Sequence, residues 1–303
     1  ICSPSRVALN TGQAPGRHRV WGHFASKEQN KKRNMADFLD PDVQTIAKVL
    51  KADGYVTAHF GKWHMGGGRD VVAPLPQAYG FDESLVSFEG LGERILFDTK
   101  GLSGASAKLG HGEHRIVEKH ESSGIYVDRA IDFIIRNKDK PFYLHVFPND
   151  VHDKHVATEE KLAKYENYEK DPFLQAFLAV LDNMDVQIGR LLDALDEHEI
   201  TDNTIVIFTS DNGPTDWPRY YKEGFAPPGY TGPFFGRKWC LYEGGIRMPF
   251  IIRWPAKVEA GKTDGTSIVA ALDLFPSLLS MTGTRPPAGW DLDGEDMSGA
   301  LTG

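Results

Sequence analysis

The chain has 303 residues, 41% of them hydrophobic and 25% charged, which is enough apolar material for a sizeable core and excludes disordered and collagen-like classes. No stretch approaches the roughly 20 uninterrupted apolar residues that span a bilayer, so no membrane span is expected. A net charge of −8 gives no general pull toward nucleic acid, and none is expected as a partner.

Two cysteines, Cys2 and Cys240, make no disulfide framework and are expected to be unpaired. The sequence opens at Ile1 without an initiator Met or a leader and closes on the Gly-rich Asp293–Gly303, so truncation at both ends is expected.

Apolar spacing alternates between helix and strand periods, which predicts an α/β domain with a mostly parallel sheet. Ser3-Pro4, then Val7, Ala8 and Leu9, then Gly12, predict a short helix with Ser3 at the N-cap, and Cys2 at its positive end. The clusters Arg17–His23 and His111–His120 read as solvated loops, with contact to an anionic substrate as the alternative. Asp40-Pro41 predicts the start of a helix carrying Val43, Ile46, Ala47, Val49 and Leu50, stopped by Gly54. Tyr55–Phe60 reads as a strand and Gly61–Gly68 as a loop. Helices are predicted over Gly124–Arg136 and, after Asp171-Pro172, over Phe173–His198, with strands at Phe142–Phe147, Thr204–Thr209 and Phe250–Arg253. Pro214–Gly236 and Thr282–Gly294 read as loops inside one domain.

Several segments carry chemistry. Arg6 lies one helical turn from Cys2, so a guanidinium adjoins a helix mouth that already favours an anion. Taken alone, Cys2 is either a thiolate nucleophile or a buried structural cysteine. Lys62 and His64, two residues apart in extended chain, point the same way and offer a point charge and a proton carrier. A strand running into His152, with His155 as the fallback, repeats this arrangement, and Asp211-Asn212 after the next strand offers two oxygens to a hard cation or forms an ordinary turn.

In order, these segments resemble the formylglycine-dependent sulfatases, the type I, arylsulfatase-like group of the alkaline phosphatase superfamily. Cys2-Ser3-Pro4-Ser5-Arg6 matches the CxPxR signature and Gly54–Gly66 (GYVTAHFGKWHMG) the second signature. Gly236–Pro249 (GRKWCLYEGGIRMP) is similar to the segment that carries an active-site lysine, here Lys238, and Ala271–Pro276 also looks sulfatase-like. The context of His152 departs from the usual APHxP-like pattern.

The resemblance implies an alkaline-phosphatase-like three-layer sandwich, with residues 1–303 as a catalytic domain that lacks a first strand bearing two aspartate metal ligands and a smaller C-terminal domain. It implies that Cys2 is converted to formylglycine by a maturase, and that Cys2, Asp211 and Asn212 hold Ca²⁺, with Mg²⁺ as the alternative. A hydrated formylglycine would attack sulfur, Arg6 would orient it, and Lys62 and Lys238 would neutralise the sulfuryl oxygens. His152 or Lys238 would protonate the leaving alcohol, and His64 would take the proton whose loss releases sulfate. Glu243 and Arg247 are expected as a buried pair and Cys240 as an apolar filler, while Trp63, Trp217 and Trp239 are candidates for stacking on a sugar or for core packing. The implied substrate is a sulfate ester of a carbohydrate, and the implied compartment is periplasmic, extracellular or lysosome-like. A phosphonate or phosphate ester hydrolase and a non-catalytic binder of sulfated glycans are the alternatives.

Overall fold

The strand that carries the second motif runs longer than its apolar pattern suggested, as β1, Val56–Lys62. In the computed structural model, which describes residues 1–67, 69–88, 94–97 and 114–303, it is an interior strand of a five-stranded sheet. The order is β4 (His114–Val117), β3 (Arg94–Phe97), β2 (Glu83–Ser87), β1, β5 (Phe142–Phe147). β1 pairs in parallel with β2 and with β5, while β3 and β4 extend the sheet antiparallel. β6 (Val206–Thr209) and β7 (Phe250–Arg253) form a separate antiparallel pair.

Alternation along β1 sorts its side chains onto two faces. Ala58 and Phe60 pack with Tyr126, Ala130 and Phe133 of the Ser122–Asn137 helix. Full burial of an aromatic such as Phe133 stabilises the fold enough that its truncation to Ala costs about 3–5 kcal/mol. The opposite face is covered by Val7 of α1 (Cys2–Thr11), Val20, Phe24, Trp63, Tyr79 and Phe81. Beside them, Ile46, Val49 and Leu50 meet Phe275 and Leu279. Helices on both faces of a sheet make three layers.

Local signals failed where a distant partner outbid them. Ser3 is not the N-cap: α1 starts two residues earlier, at Cys2 after Ile1, and the Ser3 hydroxyl instead accepts from the Phe24 amide at 3.1 Å. Asp40-Pro41 does not open the next helix, because Asp40 closes a turn on the Asp42 amide and Thr45 caps Ile46–Ala52. Thr204 is spent on a turn preceding β6. Pro214–Gly236 contains one helical stretch, Pro218–Lys222. Asp171 does cap Pro172–Glu197, accepting from the Leu174 amide.

The His111–His120 cluster begins outside the described residues, and its latter part is no solvated loop. Lys119 is buried and donates to the carbonyls of His152 and Lys154. Among the described residues, no helix is long and apolar enough to cross a membrane.

Candidate active site

Cys2 is the first residue of α1 and only 3% exposed, with its amide donating to Asn212 Oδ1 at 3.1 Å and its Sγ 3.7 Å from the same oxygen. Lys62, last in β1, brings Nζ to 3.2 Å from Cys2 Sγ and 3.9 Å from Asp211 Oδ2. Arg6, one turn along α1, binds Asp211 Oδ2 at 2.9 Å and the Lys62 carbonyl at 2.8 Å, while its guanidinium lies over the Phe147 ring. Ser5 donates to the Asp211 carbonyl at 2.6 Å. Two sequence motifs 60 residues apart and a third 210 residues from Cys2 thus converge on one thiol.

Close approach here depends on glycine. Gly61 has φ +120°, and a Cβ there would stand 2.1 Å from the Phe147 carbonyl oxygen, so only glycine lets β1 and β5 close up beside Lys62. Gly213, after Asn212, is similarly tight against the Gly244 carbonyl.

Charge follows from this packing. Burial, and after it the Asp211 charge, push the Cys2 thiol up, but the Lys62 ammonium together with His152 and Lys238 outweighs them and brings the thiol down to about 6. Burial likewise opposes ionisation of Asp211, yet Lys62, Arg6 and Lys238 hold its carboxyl well below the usual carboxylate range. Three cationic side chains around one carboxylate leave the site electropositive, as a receptor for an anion requires.

His152 donates from Nδ1 to the Asp153 carbonyl at 2.8 Å, so in the neutral ring Nε2 is the acceptor. That nitrogen lies 3.4 Å from Lys238 Nζ. Burial, then the Lys62 charge, lower His152 to about 4, which keeps it neutral near pH 7. Its loop is pinned from three sides. Lys119 holds two carbonyls, Asp150 accepts from Ser123 and Asn183, and buried Asp153 binds Arg219 and Tyr220, each at 2.5 Å. His155 faces away, its ring against Phe177.

His64 is buried with φ +50°, its Nε2 3.3 Å from the Phe24 carbonyl and its ring against Phe88 and near His23. Trp63 is 1% exposed and belongs to the core, whereas Trp239 is 47% exposed beside Trp217 and Lys238. Glu243 and Arg247 are not a buried pair: they form an exposed i,i+4 contact at 3.3 Å, because the EGGI turn projects both outward. Cys240, unpaired and half-buried, donates to the Arg237 carbonyl.

Pattern reading had passed over Ser5, Lys119, Asp153, Arg219, His59 and His145. A signal existed for the last two, since two histidines sit on strands that the α/β rhythm makes neighbours. Nothing local marked the others.

For a divalent cation, the donor types fit and the number does not. Asp211 and Asn212 turn a carboxylate and an amide oxygen toward position 2, but a hard cation takes six to eight oxygens. Among the described residues no group of three or more His, Cys, Asp or Glu converges to complete the set.

A buried cysteine at a helix mouth, with Arg6 one turn along and Lys62 at the carboxyl end of the parallel strand β1, makes an α/β site that favours an anionic group. Residues 1–284 match the sulfatase family model, and the chain belongs to the sulfatase family. It is similar to an N-acetylgalactosamine-6-O-sulfatase of Bacteroides thetaiotaomicron, with 29% identity over 92% of this chain and 63% of that protein. It is 30% identical to the N-acetylgalactosamine-6-sulfatase of Sus scrofa over 99% of this chain and 57% of that one. The chain thus spans about three-fifths of the length of these relatives. Among solved structures, Ps i-CgsB in complex with k-i-k-neocarrahexaose superposes with a TM-score of 0.76 at 26% identity, covering 99% of this chain and 65% of that one. The fold is the alkaline-phosphatase-like α/β fold of these sulfatases.

Proposed function

We propose that this chain hydrolyses a sulfate ester of a carbohydrate, with position 2, oxidised from cysteine to formylglycine, supplying the attacking oxygen. The observation that carries the reading is Lys62 Nζ 3.2 Å from the position 2 side chain at the mouth of α1. Related proteins of this family are named for N-acetylgalactosamine-6-sulfate, and a similar structure holds a neocarrahexaose, which supports a sulfated glycan as substrate.

Each residue then has a task. The α1 amides and Arg6 orient the anionic group, and Lys62 draws charge from the sulfuryl oxygens as it accumulates. Lys238 carries the proton for the departing alcohol, because His152, neutral and accepting at Nε2, cannot supply one of its own and instead aligns the ammonium. His64, held by Phe24, takes up the proton whose departure lets sulfate leave. Asp211 and Asn212 would contribute two oxygens to a Ca²⁺ ion, or Mg²⁺, which when bound adds positive charge at the sulfuryl oxygens. A maturase that oxidises Cys2 is the implied partner.

The test is turnover of matched sulfate and phosphate esters by the converted protein and by Cys2→Ala. Sulfate ester cleavage that disappears in the variant is expected. Preference for the phosphate ester, or unchanged activity in Cys2→Ala, overturns the reading.

A further inference from the structure

Behind Lys62 lies a buried polar run that the proposed chemistry does not use. His59 and His145 stand opposite each other in the parallel register of β1 and β5, fully buried and 6% exposed respectively. Their Nδ1 atoms are 3.2 Å apart. His145 Nε2 is 2.6 Å from the Tyr143 hydroxyl, and His59 Nε2 is 3.2 Å from the Lys62 carbonyl oxygen.

A carbonyl oxygen only accepts, so His59 must donate from Nε2. In a neutral ring its Nδ1 is then an acceptor, which makes His145 the donor at Nδ1. His145 Nε2 is left to accept, and Tyr143 donates to it. Every hydrogen bond therefore points toward Lys62. Both rings stay neutral in this setting: burial first, then for His59 its partner His145, and for both the nearby Arg6, disfavour a charge. Trp63, Phe81 and Phe147 enclose His59, so water cannot replace its donation.

We infer that Tyr143, His145 and His59 form a one-directional hydrogen-bond chain that positions Lys62 through its backbone carbonyl. That oxygen accepts from His59 and from Arg6 at once, which fixes the end of β1 and the azimuth of the lysine stem. The three are positioning residues, and their importance to turnover rests on the role proposed above for Lys62.

The test pairs kinetics with spectroscopy on the full chain. His59→Leu keeps the volume and loses the donor, whereas His59→Gln keeps a donor near Nε2. A roughly ten- to hundredfold fall in kcat in His59→Leu, with KM little changed and most of kcat restored in His59→Gln, is expected. Equal losses in both variants, or none in His59→Leu, overturn the inference. Should His59→Leu not fold, imidazole ¹⁵N–¹H correlation on the unmutated protein decides: His59 protonated at Nε2 and His145 at Nδ1 support the chain, and any other tautomer pair overturns it. Those tautomers would stand even if no sulfate ester were turned over, an outcome that overturns the proposed function alone.

Discussion

Lys62 Nζ lies 3.2 Å from Cys2 Sγ, with Asp211 Oδ2 3.9 Å from the same ammonium. One cation therefore faces both the position 2 side chain and its carboxylate neighbour. Replacing it with an uncharged side chain of similar length, Lys62→Met, removes charge where it is needed most. Turnover of a sulfate ester should drop by about 100-fold or more, read as kcat in the converted protein, and a loss under about threefold would contradict the assigned role.

As a thiol, Cys2 is unusually acidic in this geometry. Burial raises it, and Lys62 with His152 and Lys238 together overcome that, giving about 6. In the unconverted chain, alkylation of Cys2 should therefore rise to half its plateau near pH 6, where a free thiol needs about pH 8.5. Lys62→Met should move that midpoint upward. A midpoint near that of a free thiol in the unmutated chain would refute the arrangement.

Acid should unfold the protein early. His23 and His152 are lowered to about 4 and His145 to about 3, burial leading in each case. In the unfolded chain these groups take up protons near pH 6.5, while in the folded chain they remain neutral until far lower. Stability from these groups is thus complete above about pH 6.5 and declines as pH falls toward 4, since the unfolded state binds more protons there. Thermal midpoints measured across that range should fall steadily. A flat profile down to pH 4 would count against it.

Trp239 is half exposed, with Lys238 Nζ 5.6 Å from its ring centroid and Trp217 packed alongside. A sugar leaving group that meets Lys238 would lie against this ring. Trp239→Ala should raise KM for a sulfated oligosaccharide by roughly three- to tenfold and leave that for a small aryl sulfate unchanged. Equal effects on both substrates would argue against stacking.

How far the sequence could be read depended on whether a feature was decided locally. The strands Phe142–Phe147 and Phe250–Arg253 and the Asp171 cap appear where apolar alternation and capping chemistry put them. Cys2, Arg6, Lys62, Asp211 and Asn212 are brought together, and His152 meets Lys238. Ser3 was misread because its hydroxyl answers to Phe24, 21 residues away. Lys119 looked like one charge in a solvated run until the His152 loop was folded over it. The EGGI segment shows the converse: Glu243 and Arg247 have helical spacing, but spacing does not say which side faces water.

Cys2 and Asn212 are joined by a hydrogen bond across 210 residues, which also sets a clock. At 5–20 residues per second, ribosomal synthesis leaves roughly 10 to 40 s between the emergence of one partner and of the other. Until Asn212 arrives, the cysteine has not acquired the surroundings that bury it. The maturase proposed above would have that interval, and any delay before the chain closes, in which to act.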